Sequence, residues 1–126
     1  MNLSTYTFTL SLRSTQSQLC LPVTAGDTSR TLRIAFTDGM GLYDLKGIQA
    51  KIGIKNTALP SSEEPLKTES VRVDEGRNVV EYDFNEGTCP NAGLYLVQVG
   101  LYKEGRQIAS PKFSLDAEES ILNLEE

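Results

Sequence analysis

The sequence predicts an all-β protein, in the form of an antiparallel immunoglobulin-like β-sandwich with a short C-terminal helical exit. Apolar and polar residues alternate through most of the chain, which is typical of half-buried strands. Turn residues separate about eight such segments at regular spacing, as in a sandwich. After Asp116 the pattern changes to a short acidic segment with helical spacing. Alternation does not distinguish a sandwich from a small barrel, so a barrel stays open.

The predicted strands follow one another along the chain. They cover residues 6–12, 19–23, 32–36, 48–54, 71–73, 80–84, 93–103 and 107–115. Residues 93–103 have large, mostly apolar side chains on both faces of the strand, which predicts a central position in the sheet. Pro22 and Pro111 indicate edge positions, because proline has no N–H to donate to a ladder. Residues 56–65 and 85–92 have the composition of loops.

The last part of the chain predicts the start of a helix. Asp116 is expected to be the N-cap, with Glu119 as its capping-box partner three residues later. The sequence therefore predicts a sandwich over residues 1–116 and the start of a helical linker or tail over residues 117–126. Ile121, Leu122 and Leu124 have near-helical spacing, which favours either self-association through this helix or a frayed terminus.

Composition argues against several classes of function. The net charge is −5 and the basic residues are dispersed, so a nucleic-acid partner is not predicted. No apolar run approaches the ~20 residues of a membrane span, and the N-terminus lacks the features of a signal peptide. Histidine is absent, which removes histidine-based catalysis and most zinc sites. We expect no enzyme, metal or cofactor.

Two further features bear on chemistry. Cys20 and Cys89 are predicted to be free thiols, with a single bridge between them as the alternative. Glu81 and Asp83 share one strand face, and paired carboxylates in a cleft can hydrolyse glycosides. Their position between core-facing residues favours a solvated outer face instead.

Six residues are predicted to contact other molecules. Three occupy a short link after a glycine-rich turn, one faces outward from the central strand, and two belong to the C-terminal exit. They are Tyr43, Asp44, Leu45, Tyr102, Ile121 and Leu122. Exposed tyrosines suit both protein interfaces and sugar binding. The alternative function is therefore a carbohydrate-binding or adhesive β-sandwich module of a bacterial surface protein.

Several motifs, spread over residues 5–121, resemble one known family. Gly26-Asp27 precedes a strand, and Asp38-Gly39 forms a turn. The link Asp44-Leu45-Lys46-Gly47 precedes the alternating isoleucine strand, and a closing hairpin with SPKFSL leads to the acidic exit. Together these features resemble the N-terminal domain of the phage upper baseplate protein family.

The resemblance implies a structural part of a phage or prophage virion. In that family the domain is an immunoglobulin-like sandwich that docks on the baseplate core, around the distal tail protein, beside other baseplate subunits. Further C-terminal segments of the family hold receptor-binding proteins. The implied location is the tail baseplate, with the bacterial host cytoplasm as the place of assembly. The family provides no catalytic residue to carry over.

Overall fold

The computed structural model describes residues 4–15, 17–57 and 67–119, and over these residues the chain forms nine strands and no helix. The strands are β1 (Ser4–Ser11), β2 (Cys20–Thr24), β3 (Arg30–Thr37), β4 (Gln49–Asn56), β5 (Lys67–Asp74), β6 (Val79–Asp83), β7 (Gly93–Lys103), β8 (Arg106–Ala109) and β9 (Lys112–Glu118). The chain is all-β, as predicted, and β7 has the predicted bounds.

The described strands form one mixed sheet that curls into a half-barrel. Their order is β1-β3-β6-β5-β4-β7-β9-β2, and β8 pairs with β7. β1 runs parallel to β3 and β2 runs parallel to β9, while the remaining pairs are antiparallel. β5 pairs with each of its neighbours over a different part of its length: residues 67–71 pair with β4 and residues 72–74 pair with β6.

The prediction of an antiparallel immunoglobulin-like sandwich is therefore wrong. A period of two reports which face of a strand is buried, but it carries no information on the direction of the neighbouring strand. Here the path of the chain sets that direction, since β1 and β2 lie at opposite ends of the sheet order. Pro22 lies in β2 at one of these ends, as its missing N–H predicted.

Side chains hold the two ends of the curled sheet together. The Tyr6 hydroxyl on β1 donates a hydrogen bond to the Pro22 carbonyl on β2, with an O···O distance of 2.7 Å. The Arg30 guanidinium lies over the Tyr6 ring, 4.3 Å from its centroid. Phe8 and Phe113 meet edge to face, with their centroids 5.3 Å apart. The Tyr6–Pro22 hydrogen bond thus joins the two end strands, and the Phe8–Phe113 contact joins β1 to β9, where no ladder connects them. Arg30 lies on β3, the paired neighbour of β1, and packs on the Tyr6 ring.

The core lies inside the curl and consists of alternate residues of the strands. On β7 the buried side chains are Tyr95, Val97, Val99 and Leu101. Phe36 and Phe113 are the largest fully buried side chains. Each such apolar side chain contributes roughly 1.5–3 kcal/mol through its removal from water.

The predicted helix start at Asp116 is also wrong. β9 continues through Asp116 to Glu118, antiparallel to β7 on one side and parallel to β2 on the other. The Ala117 side chain is buried, and the Ala25 N–H donates to the Glu118 carbonyl at 2.8 Å. A helix cap is worth about 1 kcal/mol. The hydrogen bonds of two ladders and the burial of a methyl group together contribute more free energy than this cap, so the strand continues.

The division between residues 1–116 and 117–126 stays a prediction. Ala117 and Glu118 belong to β9, while Ile121 and Leu122 lie outside the described residues.

Candidate interaction surface

The β3–β4 loop, residues 38–48, exposes two large apolar side chains. Met40 is 94% exposed and Leu42 is 65% exposed, more than any other large apolar side chain among the described residues. Single exposed apolar residues are ordinary on protein surfaces, whereas neighbouring ones more often mark a contact site. The loop is therefore the strongest candidate for an interaction surface.

Hydrogen bonds fix the tip of this loop. The Met40 N–H donates to the Asp38 carboxylate at 2.8 Å. The Thr37 hydroxyl donates to the Gly41 carbonyl at 2.9 Å and accepts from the Gly39 N–H at 3.2 Å. Gly39 has φ +94°, which most other residues rarely adopt. Three hydrogen bonds thus support the main chain of the apolar tip.

Asn78, in the turn between β5 and β6, clamps the base of the loop. Its side-chain Nδ2 donates to the Tyr43 carbonyl at 2.9 Å, and its Oδ1 accepts from the Leu45 N–H at 2.8 Å. The nearby Glu75 carboxylate accepts from the Gly47 N–H at 3.2 Å. Asn78 has φ 59°, a left-handed conformation that asparagine tolerates better than most residues. The β5–β6 turn therefore positions the β3–β4 loop.

Three of the predicted contact residues lie in this loop. Tyr43 is half-buried, and Asp44 is exposed and accepts a hydrogen bond from the Lys46 N–H at 2.9 Å. The Leu45 side chain is fully buried in the core, so its effect on an interface would be to anchor the loop. Their role in binding stays a prediction.

Sequence reasoning missed Met40 and Leu42, although a signal for Met40 was present. The run Asp38-Gly39-Met40-Gly41 has strong turn composition, and a side chain at the tip of a turn has little to pack against. No comparable signal pointed to Asn78, because its partners lie 33 and 35 residues away in the chain.

Tyr102 lies on the outer face of β7 and is half-buried. Its hydroxyl donates to the Gln107 side chain at 3.1 Å, and the Lys51 Nζ lies 5.5 Å from the ring centroid. The ring covers Gly100, where a Cβ atom would lie 2.9 Å from the ring Cε1. The ring is thus held in place, and its part in an interface stays a prediction.

Arginines pair with both Glu81 and Asp83 on the outer face of the sheet. The Arg33 Nε donates to Glu81 at 2.7 Å, and the Arg72 Nη1 donates to Asp83 at 2.7 Å. The hydrogen bond to Asp83 raises the pKa of Arg72 above its usual value. Thr31 also donates to Asp83, at 2.7 Å. These contacts join β3, β6 and β5, which favours ion pairing over acid–base catalysis as the role of the two carboxylates.

Both cysteines are free thiols; Cys20 is exposed and Cys89 is buried. Burial, reinforced by the negative charge of Asp27, raises the pKa of Cys89 to about 12. Its thiol is therefore neutral at pH 7 and a poor nucleophile. Over residues 4–15, 17–57 and 67–119, no cluster of three or more potential ligands is placed to hold a metal ion. The described part of the chain also has no helix long and apolar enough to cross a membrane.

Comparisons with known proteins identify a domain of similar fold. No family model matches the sequence, and no curated protein matches it. The structure is similar to the N-terminal domain of phage TP901-1 ORF48, with a TM-score of 0.66 and 15% sequence identity. The match covers 92% of this chain and 99% of that chain. The predicted resemblance to the N-terminal domain of a phage protein is confirmed at the level of the fold.

Proposed function

We propose that this domain is a structural, non-enzymatic component of a phage or prophage baseplate. The observation that carries the proposal is the fold that it shares with the N-terminal domain of phage TP901-1 ORF48 over nearly all of both chains. The resemblance of the sequence motifs to the upper baseplate protein family extends this phage role to the baseplate. The lack of histidine and the ion pairing of Glu81 and Asp83 agree with a structural role. In this proposal the domain belongs to the virion and is assembled in the host cytoplasm.

The β3–β4 loop would dock the domain on the baseplate core, at the distal tail protein, and a domain docked there would support receptor-binding proteins. Met40 and Leu42 are suitable apolar anchors, and full burial of two such side chains contributes up to roughly 6 kcal/mol. Because hydrogen bonds already hold the main chain of the tip, binding would cost little main-chain entropy, and the remaining cost is the ordering of the two side chains. Self-association through a C-terminal helix is not part of the proposal, because Asp116 lies within β9.

Two variant pairs test the docking surface. The domain is mixed with a distal tail protein of the same phage or prophage, and complexes are measured by size-exclusion chromatography with light scattering. We expect Met40→Ser with Leu42→Ser to weaken the complex at least tenfold. The matched control is Leu94→Ser with Ile108→Ser, which also removes two exposed apolar side chains but lies outside the loop. We expect the control pair to bind like the wild type.

Two results would reject parts of the proposal. Loss of binding in the control pair alone would place docking elsewhere on the domain. No complex with any baseplate subunit, together with absence of the protein from purified virions by mass spectrometry, would reject the baseplate role.

A carbohydrate-binding or adhesive module remains the alternative prediction. Tyr102, its expected platform, is half-buried, covers Gly100 and already bonds Gln107 through its hydroxyl. Glycan binding that is lost in Tyr102→Ala would support this alternative.

A further inference from the structure

The sheet opens into a cleft where β5 leaves β4. The two strands pair only as far as Ala50 and Val71, and from Arg72 onward β5 pairs with β6. The start of β4 and the end of β5 therefore diverge, and a cavity of about 560 Å³ lies there. That volume is within the range of known ligand sites, roughly 300–1,000 Å³.

The cleft has an apolar floor and a polar rim. The floor consists of core-facing side chains, which are Ile48, Ala50, Val71 and Val73. The rim consists of outward-facing side chains, which are Gln49, Lys51 and Tyr102. Lys51 is the only charged side chain among the described residues that line the cleft. The cleft therefore suits a ligand with an apolar side and a negatively charged side.

The strands that border the cleft lack a partner strand on the cleft side, among the described residues. The cleft begins just beyond the Ala50–Val71 pair: in the part of the chain that the structure describes, Gln49 pairs only with β7 on the far side, and residues 72–74 pair only with β6 on theirs. An extended peptide satisfies such main-chain groups when it adds a short strand to a sheet. Successive side chains of that strand point to opposite faces, so they would meet the floor and the rim in turn.

We propose that this cleft binds an extended segment of a partner protein in which aliphatic and acidic residues alternate. The aliphatic side chains fill the floor, and a carboxylate faces the Lys51 ammonium group. A saccharide fits less well, because its hydroxyls would lose hydrogen bonds to water against an aliphatic floor. This site shares Ile48 with the β3–β4 loop but does not include Met40 or Leu42, and it does not depend on the baseplate role.

Titration of the ¹⁵N-labelled domain with capped heptapeptides tests the proposal. One peptide alternates valine with glutamate, and the other alternates valine with lysine. We expect the valine–glutamate peptide to shift the amide signals of Gln49, Lys51 and Val73, and to bind at least threefold more tightly than the valine–lysine peptide at low salt. Lys51→Glu should reverse this preference. Lys55→Glu, the same charge change on the same strand but outside the cleft, should leave it unchanged.

Three outcomes would overturn the proposal. The first is equal affinity for the two peptides. The second is the same effect of Lys51→Glu and Lys55→Glu, because the charge effect would then come from the whole domain. The third is binding of an acidic oligosaccharide such as oligogalacturonate at these residues when neither peptide binds.

Discussion

Asn78 determines how firmly the β3–β4 loop is held, and we predict that Asn78→Ala lowers the free energy of unfolding by about 2–4 kcal/mol. The side chain makes two hydrogen bonds to the loop main chain, at 2.8 and 2.9 Å. Each contributes about 0.5–1.5 kcal/mol, and an unsatisfied main-chain group adds to the loss. Asn78 also has φ 59°, and a left-handed conformation costs alanine about 1 kcal/mol.

Asn78→Gly separates the two contributions. Glycine adopts a positive φ without steric cost but makes neither hydrogen bond. We expect a loss of about 1–3 kcal/mol, which is roughly 1 kcal/mol smaller than the loss in Asn78→Ala. Urea unfolding at pH 7 measures both values. Amide hydrogen exchange provides a local reading, because the Leu45 N–H should lose protection in both variants.

The reasoning fails if both Asn78 variants unfold within about 0.5 kcal/mol of the wild type and the Leu45 amide keeps its protection. Asn91→Ala serves as the control, since it changes the same residue type at an exposed loop position. We expect that control to lie within about 0.5 kcal/mol of the wild type.

Three further predictions concern other parts of the molecule. The pKa of Cys89 is about 12 in the folded protein against 9.0 ordinarily, so the unfolded thiol ionises first. The free energy of unfolding should therefore fall above pH 9 by about 1.4 kcal/mol per pH unit. Urea unfolding from pH 8 to 10.5 measures this dependence, which should be weaker in Cys89→Ala and unchanged in Cys20→Ala. Glu104 has φ 53° and precedes Gly105 in the turn between β7 and β8, a position where Asn-Gly is the preferred pair. Glu104→Asn should therefore raise Tm by about 2–4 °C in calorimetry, and a lower Tm would contradict this. The Tyr82 hydroxyl shares a buried 2.8 Å hydrogen bond with Thr88, so Tyr82→Phe should cost about 1–2 kcal/mol in urea unfolding, and an unchanged midpoint would argue against the bond.

Part of the candidate interaction surface was predictable from local sequence. The composition of residues 38–41 indicates a turn, and a turn brings its central side chain to the surface. The burial of Leu45 was not predictable in the same way. It depends on Asn78 and on the core beneath the loop, and these contacts join residues that are distant in the chain.

The sequence by itself located most of the strands and the buried face of those that alternate most clearly, although the single strand predicted over residues 107–115 is two strands, β8 and β9, in the structure. The alternating residues of β3, β4 and β7 enter the core, and the Glu104-Gly105 turn connects β7 to β8 directly after the predicted strand 93–103. These features depend on side-chain period and on backbone preferences within a few residues. Both features are therefore specified by residues that lie close together in the chain.

Only the tertiary structure decided how the strands are arranged. The parallel pairing of β1 with β3 and of β2 with β9, the extension of β9 through Asp116 and the cleft between β4 and β5 all depend on which distant strand lies alongside. Ladder hydrogen bonds form between main-chain groups that are alike in almost every residue, so the local sequence does not specify their partner. Burial of the whole core selects one arrangement, and at Asp116 it overrides a local preference for helix.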